Sequence, residues 1–117
     1  DYLRGEPDLH ADAAELVGQL MAWLATLRAM SLAIAGSLAQ GGNPVVEASL
    51  VKDLGTELEQ DIALRIAADL ARHPDRPVPA ALLETVAYLL QVYPTFSLRG
   101  GTREILRGII ARGLGLR

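Results

Sequence analysis

The sequence predicts an all-α domain, an antiparallel up-and-down four-helix bundle built from two long and two shorter helices. Three observations predict it. Apolar residues recur at three- and four-residue spacing along two long stretches and two shorter ones. Glycine and proline clusters separate those stretches at Gln40-Gly41-Gly42, at residues 73–79 and at residues 94–101. No stretch shows the alternating pattern of a strand that also has a partner.

The first ten residues read as irregular, broken by Gly5 and Pro7. A long helix then begins near Asp12. Leu16, Leu20, Trp23, Leu27, Met30 and Ile34 line one face, and Val17, Leu24 and Leu38 widen it, so this helix is expected to touch more than one neighbour. Gly41 and Gly42 stop it through a left-handed cap.

Asn43 and Pro44 restart the chain, since Asn caps free N–H groups and Pro is tolerated in a first turn. The second helix runs to about His73 on an inner stripe of Val51, Leu54, Leu58, Ile62, Ile66 and Leu70. Its charged face, from Lys52 and Asp53 through Glu57, Glu59 and Asp61 to Arg65, is most simply a solvated one. Pro79 opens a third helix through about Val92, with Leu82, Val86, Leu89 and Leu90 as its core side. Residues 95–101 read as a connector. A fourth helix starts at Thr102, carries Ile105, Leu106, Ile109 and Ile110 on its apolar side, and ends at Gly113 and Gly115.

Composition bounds the function. The chain has 117 residues, the length of one domain. It holds no cysteine, which excludes disulfides, a thiol nucleophile and a cysteine metal site and fits a cytoplasmic protein. A net charge of −3 argues against general nucleic-acid binding. The apolar run from Leu16 to Ala39 is interrupted by Gln19, Thr26, Arg28 and Ser31, so a buried helix is expected rather than a membrane span. Glu57, Glu59 and Asp61 have no histidine nearby, and no metal site is expected.

The stretch richest in chemistry is Arg99-Gly100-Gly101-Thr102-Arg103-Glu104-Ile105. Two glycines and a capping threonine at a helix start leave backbone N–H groups at the positive end of the helix, a geometry that favours an anion such as a pyrophosphate. The last nineteen residues hold five arginines against one acid. The plainer reading is a simple helix cap, with Arg103 and Arg107 on a solvated face.

The run Gly100 to Arg117, GGTREILRGIIARGLGLR, resembles the C-terminal signature of the acyl-CoA dehydrogenases. Ala48-Ser49-Leu50-Val51-Lys52, followed by Gly55-Thr56-Glu57-Leu58, resembles a helix of the same family's C-terminal bundle, in the expected order. The resemblance implies a flavoenzyme that removes an α-proton from an acyl-CoA while a hydride passes from the β-carbon to FAD. It also implies that this chain corresponds to one domain of such a protein.

Two family features, an Arg-x-x-Phe-Gly-Gln stretch and a Gln-x-x-Gly-Gly-x-Gly turn, have no counterpart here, and the proline-rich loop stands in place of the second. Where many members carry the catalytic Glu, this chain has Gly100, so no catalytic residue is carried over. Gly101, Thr102 and Glu104 match positions that approach FAD around its pyrophosphate and adenosine end. The implied cofactor is FAD in the full-length protein, the implied substrate an acyl-CoA, and the implied partner a second copy or another subunit, with neither nucleic acid nor membrane involved. The alternative is a non-catalytic helical module for oligomerisation or interaction, favoured by Gly100 and by the missing turn.

Overall fold

A computed structural model describes residues 11–116, and among these the chain forms four α-helices and one 3-10 turn, with no strand. The helices are α1 (Ala11–Ala39), α2 (Val45–Arg72), α3 (Ala80–Val92) and α4 (Arg103–Gly113). The 3-10 turn, Tyr93–Leu98, follows α3 directly and occupies most of the expected connector. Pro94 lies in its first turn, where a missing N–H costs nothing.

Both glycine-ended helices stop as the sequence predicts. Beyond α1, Gly41 takes φ 79°, Gly42 N donates to Ser37 O at 2.9 Å and Gly41 N to Leu38 O at 3.0 Å. Beyond α4, Gly115 takes φ 75°, Leu116 N donates to Ala111 O at 2.8 Å and Gly115 N to Arg112 O at 3.0 Å. Each pair is a Schellman cap. The start of α2 differs from expectation. Pro44 is its N-cap and no side chain caps it; the Asn43 carbonyl accepts the Val45 N–H instead.

The centre of the molecule is α2, which packs against α1, α3, α4 and the 3-10 turn. The start of α1 lies against the end of α2, through His73 Nε2 to Asp12 Oδ2 at 2.8 Å and Arg65 Nη1 to Gln19 Oε1 at 3.1 Å. On its other side α2 receives α4, which runs from beside Asp53 back to Val46. The stripe predicted for α1, Leu16 through Ile34, is half-buried along its length, and Leu58 on the inner stripe of α2 is fully buried. Arg65 also reaches over the Trp23 ring, 5.9 Å from its centroid.

The apolar residues fully buried among those described are few: Ala13, Leu58, Ala63, Val86 and Leu106. The Cα radius of gyration is 17.6 Å, where a compact domain of this length has about 13 Å. The long dimension of 52 Å follows from α1, whose 29 residues rise about 43 Å. Ile105 on α4, expected on the apolar core side, is exposed instead. Ile105 sits one residue ahead of Leu106, about 100° around the helix, and only Leu106 reaches α2 fully.

Gly113 seats α4 on α2. A methyl group there would overlap the Val46 side chain, against Cγ2 first and against Cβ and Cγ1 at 3.4 Å. Helix propensity alone favours alanine over glycine by about 1 kcal/mol. Overpacking opposes it by about 1–3 kcal/mol. Gly113→Ala is therefore expected to lower the urea midpoint, and adding Val46→Ala to recover part of the loss. An unchanged or raised midpoint in the single variant would show that α4 does not rest on Val46.

Candidate functional site

The side of α2 that faces α4 is polar. Ser49, Asp53 and Thr56 are buried there. The two hydroxyls are satisfied within the helix: Ser49 Oγ donates to Val45 O at 2.7 Å and Thr56 Oγ1 to Lys52 O at 3.0 Å. Asp53 is satisfied by α4, accepting from Arg103 Nε at 2.7 Å and Arg107 Nε at 3.2 Å. Arg103 also donates through Nη2 to Glu57 Oε2 at 3.1 Å. Burial raises the Asp53 pKa, but the hydrogen bonds and charges of the two guanidinium groups outweigh it and hold the carboxyl below its ordinary value. The same contact raises the Arg103 pKa, the Asp53 hydrogen bond being the main cause.

These contacts correct the solvated-face reading at two positions, Asp53 and Arg103. Asp53 is buried because its charge is matched by α4, and Arg103 points inward to meet it. Two further ties flank the clasp: Arg99 Nη2 to Glu59 Oε2 at 2.6 Å, and Gln60 Nε2 to the Tyr93 carbonyl at 3.2 Å.

The clasp sets the position of the α4 N-terminus, where the sequence-derived site residues lie. Gly100 and Gly101 have φ of 66° and 99°, so the chain enters α4 through two consecutive left-handed residues. Thr102 is the N-cap, with φ −70° and ψ 161°, but its hydroxyl makes no cap to the helix backbone. Glu104 supplies the negative charge at this end. Its carboxyl is held below its ordinary pKa first by its own backbone N–H and then by the Thr102 hydroxyl, with Arg107 and Arg103 adding to the effect. The helix start is thus not bare: a carboxylate from its own first turn already uses the positive end.

A cleft opens beside this entry. It has a volume of about 340 Å³ and is lined by Ile34 and Ser31 of α1 and by Val51, Lys52, Thr56 and Glu59 of α2. Lys52 connects it to the glycine pair. Its Cε lies 3.6 Å from where a Cβ on Gly100 would sit, and its Nζ donates to Thr56 Oγ1 at 3.0 Å. The corner therefore offers a cation at Lys52 beside the Gly100 backbone, and Glu104 follows in the first turn of α4. The structure brings Gly101, Thr102 and Glu104 together at one helix end and adds Lys52, whose part sequence reasoning missed. The signal was present in the four-residue spacing of Lys52 and Thr56, but nothing in the sequence placed α4 next to it.

A second cluster joins Asp12, Asp69 and His73, whose ligand-type atoms all lie within 4.8 Å of one another. Its charges are already balanced. Asp69, buried, accepts from Arg76 Nη2 at 2.6 Å and Arg72 Nη2 at 3.4 Å. Asp12 pairs with His73, whose hydrogen bond is the main reason that the Asp12 pKa is lowered. A divalent cation here would face two guanidinium groups, so the cluster's chemistry is that of a latch between the start of α1 and the end of α2.

No family model, no curated protein and no solved structure matches this chain.

Removing Asp53 leaves Arg103 facing the seam without its main partner. Asp53→Ala is expected to cost about 3 kcal/mol, the usual penalty for breaking a largely buried pair, read from chemical denaturation. The acid limb gives the sign. Because the folded pKa of Asp53 is depressed, its stabilisation is complete above the ordinary aspartate range near 3.8 and is lost as pH falls through the folded value. The Asp53→Ala variant should therefore lose less stability on acidification than the parent. Parallel acid limbs would place Asp53 outside the seam.

Proposed function

We propose that this chain serves as the C-terminal helical domain of an FAD-dependent, acyl-CoA dehydrogenase-like oxidoreductase, contributing subunit contacts and one edge of the flavin site. In this reading the four helices form an antiparallel up-and-down bundle, and the open flanks are covered in a cytoplasmic assembly. The observation that carries it is the entry to α4: two consecutive left-handed glycines followed by Thr102 and Glu104, in the order of the family signature.

The residues fit part of FAD better than the rest. Gly100 and Gly101 carry no side chain of their own, and the nearest neighbours to their missing Cβ atoms are Lys52 Cε beside Gly100 and Leu106 Cδ2 beside Gly101, each at 3.6 Å. The Glu104 carboxylate repels a diphosphate but accepts hydrogen bonds from ribose hydroxyls or an adenine amino group. Lys52 is the group of this corner that suits a phosphate. Gly101, Thr102 and Glu104 thus belong beside the adenosine, and the diphosphate belongs toward Lys52. When bound, FAD supplies the hydride acceptor for α,β-dehydrogenation of an acyl-CoA. Glu104 is assigned to the adenosine, and the carboxylates of the neighbouring α2, Asp53, Glu57 and Glu59, each hold an arginine. This chain thus contributes binding and orientation, and the proton-abstracting base comes from elsewhere in the enzyme.

A second reading, a non-catalytic helical interaction module, draws on the number of large apolar side chains left exposed, from Val17 on α1 to Leu116 past α4.

Flavin uptake separates the two. The full protein is expected to bind FAD with a visible flavin spectrum, and Glu104→Ala to weaken binding about tenfold, the loss of one hydrogen bond to a charged group. A colourless protein that takes up no added FAD overturns the enzyme reading in favour of the module.

A further inference from the structure

The proposed function uses Lys52 only as a charge, yet its environment suits it to chemistry as well. Lys52 is the single lysine of the chain. The arginines stay protonated, so Lys52 carries the one side-chain amine that can act as a nucleophile. Arg99, Arg103 and Arg107, the other cations near the entry to α4, are each held by a carboxylate of α2. Among the described residues no carboxylate pairs with Lys52; its Nζ donates to the Thr56 hydroxyl instead, at 3.0 Å.

We infer that Lys52 is an acyl acceptor: it takes the acyl group of a thioester bound in the cleft beside it, and the amide so formed removes the phosphate-facing charge of this corner. The choice of a thioester and the effect on FAD rest on the proposed function. The placing of the amine does not.

Three observations carry it. The first is how the nitrogen is held. Thr56 is 2% exposed and its hydroxyl donates to the Lys52 carbonyl at 3.0 Å. The hydroxyl proton is therefore used, and the oxygen offers Nζ only an acceptor. A neutral amine bound there spends one N–H on Thr56 and keeps its lone pair free. A carboxylate partner would instead stabilise the ammonium, which is no nucleophile.

The second is the cleft. Lys52 and Thr56 line it together with Ile34, Ala48, Val51 and Gly55, and its volume of about 340 Å³ lies in the range of small-molecule sites. No atom lies within 4 Å of where a Cβ on Gly55 would sit, so there is room beside the amine. An acyl chain would lie along Ile34 and Val51. The third is the state of Lys52 itself, which is half-buried. Acylation replaces a partly desolvated charge with a neutral amide whose N–H still reaches Thr56.

The chemistry balances without an oxidant. The ammonium first gives one proton to solvent. The nitrogen lone pair adds to the thioester carbonyl carbon, and an N–C bond forms. The C–S bond then breaks, and the sulfur leaves with the second nitrogen proton as a thiol. The amide keeps one N–H.

The test uses the full protein with octanoyl-CoA at mildly alkaline pH, without an electron acceptor, and with free Nα-acetyl-lysine in the same tube. Peptide mass mapping should place an octanoyl adduct on Lys52. Its rate should saturate with thioester and exceed that of the free amine about tenfold, the gain expected from binding the chain beside the nucleophile. Acetyl-CoA should react about tenfold more slowly, since it buries fewer methylenes. Ser31→Glu, an exposed change on the α1 wall of the cleft, should slow octanoylation without altering the helical circular dichroism. A rate no faster than that of the free amine, or one that rises linearly with thioester, overturns the acceptor site, as does indifference to Ser31→Glu. Acylated protein and Lys52→Gln should both bind FAD about tenfold more weakly than the parent. Unchanged FAD affinity after complete acylation overturns the switch. A colourless protein that is still acylated at Lys52 removes the flavin reading and leaves the acceptor site standing.

Discussion

The buried carboxylate of Asp53 is the contact on which the arrangement of the second half of the chain depends. A charge on the inner side of a helix is costly unless it is matched. Here the match comes from Arg103 and Arg107, one turn apart on α4, so the requirement to neutralise Asp53 also determines where α4 lies and how it is rotated. Gly113 completes the seat by letting the far end of α4 rest on Val46. With both ends determined, Leu106 is directed inward and the glycine pair comes to lie beside Lys52. The candidate flavin edge is therefore a consequence of an ion-pair clasp behind it. Changes to the clasp and changes at Glu104 should be separable, because Asp53 is buried and Glu104 is exposed.

The other half of the molecule is organised differently. Packing between α1 and α2 relies on a half-buried apolar stripe with polar links at one end, Asp12 to His73 and Gln19 to Arg65. A single helix laid on α2 covers only part of an apolar circumference as wide as that of α1. The breadth of its apolar face has the same physical origin as the scarcity of fully buried residues: one helix laid against another leaves most of each apolar circumference uncovered.

Much of this was legible in the sequence because it rests on local rules. The stripe from Leu16 to Ile34, the stop at Gly41, the start of α4 at Thr102 and its stop at Gly115 all follow from helical periodicity and glycine's freedom at positive φ. Even the breadth of the α1 apolar face could be counted. The misreadings have one cause. Asp53 and Arg103 were read as solvent-facing because charges on a helix usually are, and no local rule reports that two charged faces meet. Ile105 was placed in the core on spacing alone, although only Leu106 of that pair faces α2. The 3-10 turn over Tyr93–Leu98 escaped because proline and short polar residues fit a connector equally well.

By itself, then, the amino-acid order determined the helices, their ends and their apolar sides, since each is set by neighbours within a few residues along the chain. Tertiary structure alone decided which charged residues are drawn in, that α2 is the common partner of the other helices, and that Lys52 lies beside Gly100. Those outcomes depend on matching charge and volume between segments about fifty residues apart, Asp53 with Arg103 and Val46 with Gly113. Such a match is a property of the packed pair, and neither segment carries it alone.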